Sequence, residues 1–237
     1  SVSNTERVRP ISFAVKALLA RVYLYKGDWD NANKMATDVI DNNSPYVFET
    51  NPDKVFLKGS TETIWQFMPG AAGKNTDEGV VFILNSGPPQ LVALTQSLVN
   101  SFAANDLRRS RWIGSVSNAS GTWHYAAKYK ESRFTAASRE YSIVLRLTEQ
   151  YLIRAEARAQ LEDLIGARKD LNKIRMRAGL TDILSNSKQE ILEVIQQERR
   201  KELFTEFGHR FFDLKRTQQL DAVLSVKPGW NTNDRLL

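Results

Sequence analysis

The segment ERRKELFTEFGHRFFDLKR, residues 198–216, sets three glutamates, four arginines, an aspartate and a histidine among four phenylalanines. A solvated helix face does not need so many rings, and a core does not accept so many ions unless each finds a partner. The chain must therefore build a cleft here, with carboxylates and His209 acting on a substrate, or fold so that every buried charge meets its opposite.

Catalysis asks for two carboxylates, or a carboxylate and His209, converging on a cleft with separated pKa values. Glu198, Glu202 and Glu206 recur at four-residue steps, which on a continuous helix stacks like charges on one face. Arg199, Arg200, Arg210 and Arg216 are the cations at hand, and Arg210, Asp213 and Arg216 are spaced by three. A helix expected to run from about Ser187 into this segment carries Ile191, Val194, Ile195, Leu203, Phe207, Phe211 and Leu214 at three-or-four spacing, so a buried face lies beside the charges and leaves little room for substrate. No phosphate-cradling glycine loop, nucleophile elbow or metal-ligand spacing completes a site elsewhere. Glu198, Arg199, Glu202, Glu206, Arg210, Asp213 and Arg216 therefore read as a structural brace of bidentate arginine–carboxylate pairs, with no catalytic residue. His209, next to Gly208 at an expected helix break, reads as a packing or capping residue. The chain has no cysteine, and its two histidines, His124 and His209, are far apart; no metal and no cofactor are expected.

Two helix hairpins frame the rest. PISFAVKALLARVYLYK, residues 10–26, brings Ala14, Ala17, Leu18, Arg21, Val22 and Tyr25 to one helical face behind a proline suited to a first turn. Gly27 and Asp28 stop it and cap a second helix, Trp29 to Ile40, whose inward stripe is Ala32, Ala36, Val39 and Ile40. The design returns in YLIRAEARAQ, LED and LIGARKDLNKIRMRAGL: laying Ala20 on Ala155 also lays Ala32 on Ala167 and Val39 on Ile174. Leu19, Ala20, Tyr23 and Ala32 fit tetratricopeptide positions, with Arg158 where a tyrosine is usual in the second copy. Between the copies the composition changes: glycine and proline concentrate, TIWQFM (63–68) and TWHYAAKYK (122–130) read as short strands, and one helix is expected to start near Pro89. The fold class is mainly α, tetratricopeptide-like hairpins with an irregular loop-and-short-strand insert. Residues 1–237 are expected to form a single domain: hairpin 1–43, insert 44–137, hairpin and charged helices 138–225, tail 226–237.

The net charge of +6 and pI near 9.5 favour an anionic partner. Most lysines and arginines, however, lie within a few residues of a carboxylate, as in RKDLNKIRMR, so the excess belongs to solvated helix faces and no nucleic-acid partner is expected. No apolar run approaches the roughly 20 residues that span a bilayer, and SVSNTERVRP is not a secretion signal.

The charged segment resembles the C-terminal signature of the SusD/RagB family, a pattern close to ERxxELxxEgxRwxDLxR. Glu198, Arg199, Glu202, Leu203, Glu206, Arg210, Asp213, Leu214 and Arg216 fall in place, with Phe211 and Phe212 where Trp-Phe is common. KALLARVYLYKGDWDNA (16–32) and EYSIVLRLTEQYLIRAEARAQ (140–160) resemble the same family. The resemblance implies a non-catalytic surface lipoprotein of Bacteroidota that captures glycans, or in some members peptides, and covers a SusC-like TonB-dependent transporter at the outer membrane. It also implies longer relatives with a signal peptide, a lipid-modified cysteine and a proline-rich tail; the chain is therefore expected to be a fragment, with membrane attachment only through a lipid anchor it lacks.

A capture surface needs flat rings and hydrogen-bonding groups on a preformed face. FMPGAAGKNTDEG (67–79) offers Phe67, Asn75, Asp77 and Glu78, and RWIGSVSNASGTWHY (111–125) offers Trp112, Asn118, Trp123 and Tyr125; Trp112 and the 74–78 loop come first. A peptide-binding member of the family, a helical-repeat interaction scaffold and, last, an enzyme using Glu202 or Glu206 are the competing readings.

Overall fold

Helix α1 (Ser12–Lys26) ends where Gly27 takes a left-handed φ of 72°, which lets the Asp28 N–H reach back to the Tyr23 carbonyl. The Asp28 side chain then accepts the Asn31 N–H and opens α2 (Trp29–Ile40). This computed structural model describes residues 6–41 and 44–236; residues 1–5, 42–43 and 237, which belong to the hairpin, insert-boundary and tail ranges expected above, lie outside the described residues.

The middle segment contributes a 3-10 turn (Pro52–Lys54), β1 (Thr63–Phe67), α3 (Asp77–Phe82), α4 (Gln96–Val99), α5 (Leu107–Trp112), β2 (Ile113–Asn118) and β3 (Gly121–Ala126). Then come β4 (Ser142–Arg146), α6 (Leu147–Gln160), α7 (Leu164–Arg177), α8 (Lys188–Glu202), α9 (His209–Arg216), α10 (Leu220–Leu224) and a final 3-10 turn (Thr232–Leu236). No helix of the described residues is long and apolar enough to cross a membrane.

The frame is the tetratricopeptide-like helical stack that the repeats predict. Ala20, Ala32, Val39, Ala155, Ala167 and Ile174, the residues matched between the two hairpins, are all fully buried. Helix α6 is its centre: twelve of its fourteen residues are buried, with α2, α7, α8 and α1 packed around it. Its buried charges are matched by neighbouring helices. Glu149 takes both Nε and Nη2 of Arg21, Arg154 lays a two-pronged pair on Asp170, and Arg158, standing where the repeat prefers tyrosine, adds a third bond to Asp170.

Three expectations are corrected. The first concerns α1, which buries Ala14, Ala17, Ala20 and Leu24, whereas Leu18 and Val22, read as inward, are exposed. The helix is apolar around its circumference, so periodicity cannot choose a face; the small residues win because they let α2 and α6 approach closely. The second concerns Pro89, where no helix starts. Consecutive prolines deprive residues 88 and 89 of N–H donors, and the next helix waits for Thr95, whose hydroxyl accepts the Leu98 N–H. The third concerns the continuity of the charged helix. Helix α8 stops at Glu202, and Thr205, Phe207 and Gly208 adopt left-handed φ values of 61°, 42° and 68° before α9 begins. Phe207, expected in the buried stripe, is turned outward and 48% exposed.

Two small sheets complete the middle. β1 forms as the TIWQFM pattern predicts, but its partner is β4, paired antiparallel with Phe67 opposite Ser142 and Thr63 opposite Arg146. β2 and β3 form a hairpin in continuous register from Ile113↔Ala126 to Asn118↔Gly121.

Ala157 sits where α6 meets Ala20, Leu24, Ala32 and Ala36. Ala157→Leu is expected to lower folding stability by about 1–3 kcal/mol through overpacking, read as a lower urea midpoint at unchanged denaturant slope.

Candidate functional site

The C-terminal end of α8 is held by cations that come from elsewhere in the chain. Glu202 is 0% exposed; its Oε1 accepts Arg146 Nη1 at 2.8 Å and Arg177 Nη2 at 2.5 Å, and its Oε2 accepts Arg108 Nη1 at 3.2 Å. Glu206 takes Arg146 through Nε and Nη2 and the Lys128 ammonium at 2.7 Å. Glu198 meets Arg108, Arg175 and Lys201. Glu62, from the turn before β1, accepts Arg146, Arg177 and the Thr148 hydroxyl. The sequence points to Arg199, Arg200, Arg210 and Arg216 as the neutralising partners of these glutamates, and the structure corrects this: Arg199 and Arg216 bind Asp213, Arg216 also clasps Glu156, and Arg200 reaches Ser97. Arg210 is half-buried, with Arg200 and Asp213 as its charged neighbours.

The same cations explain why the helix stops. Arg146 Nη2 and Lys128 Nζ both donate to the Glu202 carbonyl, and Lys128 also donates to the Phe204 carbonyl. Carbonyls that a helix end leaves open are thus capped by charge. Lys128 is boxed by rings, with its ammonium 4.0 Å from the Phe204 centroid and 4.7 Å from that of Phe56.

Burial opposes ionisation of Glu202, yet Arg177, Arg146 and Arg108 overcome it and hold the carboxyl well below the usual range. Burial pulls the Lys128 ammonium down to about 8 against Glu206, and the His209 imidazole down to about 4 against Glu149. For Glu149, Arg21 and His209 prevail over burial and keep the carboxyl at about 2. His209 lies at the first turn of α9, where one ring nitrogen faces the Tyr25 hydroxyl and the other lies 3.8 Å from Glu149. It packs rather than opening onto a cleft.

The candidate ligand residues separate into two groups. Trp112 is a core residue, 0% exposed, with Nε1 donating to the Pro52 carbonyl and its ring packed edge-on against Phe56; it offers no face to a ligand. Asn75 is buried too, since its Oδ1 accepts the Arg139 and Glu140 N–H groups and its Nδ2 donates to the Arg133 carbonyl and Thr135 Oγ1. The Glu78 carboxylate is engaged by the hydroxyls of Thr76 and Ser142. These three pin loops together, and residue type alone could not have told that use from recognition.

The others reach the surface. Trp123 and Tyr125 stand two apart on β3 and so share one face of the hairpin. Close glycines make room for both rings: a Cβ on Gly87 would meet the Trp123 ring at 2.1 Å, and one on Gly114 would meet Tyr125 at 2.3 Å. Asn118 Nδ2 donates to the Gly87 carbonyl at 2.7 Å, tying the 84–94 loop to the hairpin, and the Leu94 N–H donates to the His124 carbonyl. Leu91 and Val92, which the sequence reading left out, are exposed on that loop. Phe67 is exposed at the end of β1 with its ring edge-on to Trp65, and Asp77 is exposed at the start of α3, paired with Lys74. Asn118, Trp123 and Tyr125 thus form one cluster, while Phe67 and Asp77 sit on other elements. Among the described residues no group of three histidines or carboxylates is placed to hold a metal ion.

The family model described as the SusD family matches residues 95–233. Solved structures of similar fold include a SusD superfamily protein from Bacteroides vulgatus (TM-score 0.77, 19% identity, 94% of this chain and 55% of that one). A SusD-like carbohydrate binding protein from the same species gives a TM-score of 0.72 at 22% identity over 90% of this chain and 46% of that one. Surface glycan-binding protein A from Bacteroides thetaiotaomicron gives 0.73 at 18% identity over 94% and 59%. The chain thus spans about half the length of these solved relatives. No curated protein matches at a significant level.

Glu202→Gln removes the buried negative charge that Arg108, Arg146 and Arg177 share and is expected to lower stability by about 3–5 kcal/mol. Acid should act in two stages. Because the folded His209 pKa lies below its ordinary 6.5, the unfolded chain binds the extra proton, and stability present above about pH 6.5 is lost as pH falls toward about 4. Glu149, also depressed, contributes stability above its ordinary 4.5 that is lost toward about 2. Urea titrations across pH check both stages; His209→Gln should abolish the upper one and, because His209 helps hold Glu149 down, shrink the lower one without removing it.

Proposed function

Because the chain belongs to the SusD family, we propose that it is a non-catalytic glycan-binding protein of the bacterial surface, and that its loop face captures oligosaccharides and passes them to a SusC-like TonB-dependent transporter in the outer membrane. In this reading residues 1–237 act as one unit, with the helical parts (1–43 and 138–225) carrying the 44–137 segment. The observation that supports it most is the Trp123–Tyr125 hairpin face. Sugar rings pack their C–H faces on aromatic rings while their hydroxyls pair with amides and carboxylates, and Trp123 offers a ring that the Gly87 loop steadies from behind. Asn118 positions that loop, and the exposed side chains of Leu91 and Val92 extend the apolar surface on which a chain of sugars could lie. Phe67 and Asp77 are the further contacts of this proposal, on the neighbouring β1 and α3 edges.

Calorimetric titration with soluble oligosaccharides tests the reading. Binding is expected for chains longer than one sugar, without release of shorter products, and Trp123→Ala should weaken it by at least about tenfold, ~1.4 kcal/mol, while the circular dichroism of the helical frame stays unchanged. Binding of peptides with none to any oligosaccharide would move the assignment to a peptide-capturing protein.

A further inference from the structure

On the helical side of the molecule, α6, α8 and the link from α9 to α10 enclose a groove of about 500 Å3, within the roughly 300–1,000 Å3 of small-ligand sites. Gln160, Gln189, Gln196, Gln197 and Gln219 all border it, half of the ten glutamines in the chain. They do not come from one periodic stripe. Gln189, Gln196 and Gln197 belong to α8, Gln160 is the last residue of α6, and Gln219 lies between α9 and α10. Three elements have to assemble before these amides meet.

The floor of the groove is already fixed. Arg216 clasps the Glu156 carboxylate with both terminal nitrogens, and Glu156 Oε2 accepts Gln196 Nε2 at 3.2 Å. Gln189 is likewise turned, its Nε2 donating to Glu193 Oε1 at 2.7 Å. Two amides are therefore oriented by carboxylates before any ligand arrives, which lowers the ordering cost of binding.

The chemistry of the lining selects its occupant. The chain is basic overall, with a net charge of +6, yet among the described residues lining the groove there are two carboxylates, Glu156 and Glu193, and no lysine or arginine. A phosphate, sulfate or uronate would meet the wrong charge. A peptide strand gains its specificity from pockets for alternate side chains, and here Leu192 and Val194 are the only two apolar side chains in the lining. Hydroxyl groups fit better: each donates and accepts, so a row of them pairs with side-chain amides in any register. We infer that this groove is a second ligand site, for a neutral oligosaccharide, on elements separate from the Trp123 face. The inference rests on the glycan-binding reading above.

The test is calorimetric titration of the chain with neutral malto-, cello-, xylo- and manno-oligosaccharides, comparing wild type, the double variant Gln197→Ala with Gln219→Ala, and Trp123→Ala. Gln197 and Gln219 are exposed and stand outside the Arg216–Glu156 clasp, so the double variant should melt with wild type. Wild type is expected to show two sites; the glutamine pair should weaken one by about tenfold or more and leave the other, which Trp123→Ala removes. A single site that is lost with Trp123→Ala and indifferent to the glutamine pair overturns the groove while leaving the loop-face reading intact. No heat with any neutral oligosaccharide overturns both, and a glutamine-dependent response confined to acidic oligosaccharides or peptides overturns the neutral-glycan assignment.

Discussion

The buried contact between Glu202 and its three arginines is the interaction on which the remaining structure depends. Arg108 comes from α5, Arg146 from the end of β4 and Arg177 from the end of α7, so one carboxylate joins α8 to the middle segment, to β4 and to the second helical hairpin. An ion left without its partner in a dry interior costs several kcal/mol. Partial assembly is therefore penalised more than it would be at an apolar contact, which degrades gradually as neighbours leave. The four-fold use of Arg146 sharpens this: it serves Glu62, Glu202 and Glu206 as well as the Glu202 carbonyl, so pairing β4 with β1, ending α8 and starting the turn toward α9 become one event.

That linkage bears on the loop face. The β2–β3 hairpin leaves the core directly after Trp112, which is buried against Phe56, and returns to it at Ala126, two residues before Lys128 in its cage of rings. Both feet of the hairpin are therefore fixed within the ion network. A recognition surface whose supports are locked by packing and hydrogen bonds gives up less conformational freedom on binding. The proposed capture surface gains its rigidity from charges that never touch a ligand.

What the sequence made legible follows from the range over which each signal acts. The hairpins could be read because their determinants are local: alanines at helical spacing, Gly27 and Asp28 at a stop and a start, and the same pattern returning around Ala155 and Ala167. The charged segment could be read as a brace because its rings and ions compete for the same face. Its partners could not, since Arg108 and Arg146 lie 94 and 56 positions from Glu202 and spacing arguments see only neighbours. The same blindness extended α8 past Glu202: periodicity continued, but Arg146 and Lys128 had taken over its terminal carbonyls. Trp112 and Asn75 were misplaced for another reason. Tryptophan and asparagine serve equally as buried anchors and as ligand contacts, and only the surrounding fold, here Pro52 and the Arg139–Glu140 backbone, decides which.

The distribution of hydrogen-bond capacity also constrains where recognition can occur. A carboxylate has about four acceptor positions. Glu62 uses all of them, on Arg146, Arg177, Thr148 and the Glu49 N–H, and Glu202 uses three on arginines alone. A sugar hydroxyl entering this network would have to displace a guanidinium and leave it unpaired in the interior, exchanging a charge-assisted bond for a weaker one. The network around Glu62 and Glu202 is therefore closed to ligands on energetic grounds as well as by burial. In the proposed reading recognition falls instead to groups nearer the surface, rings such as Trp123 on one side and the glutamine amides along α8 on the other.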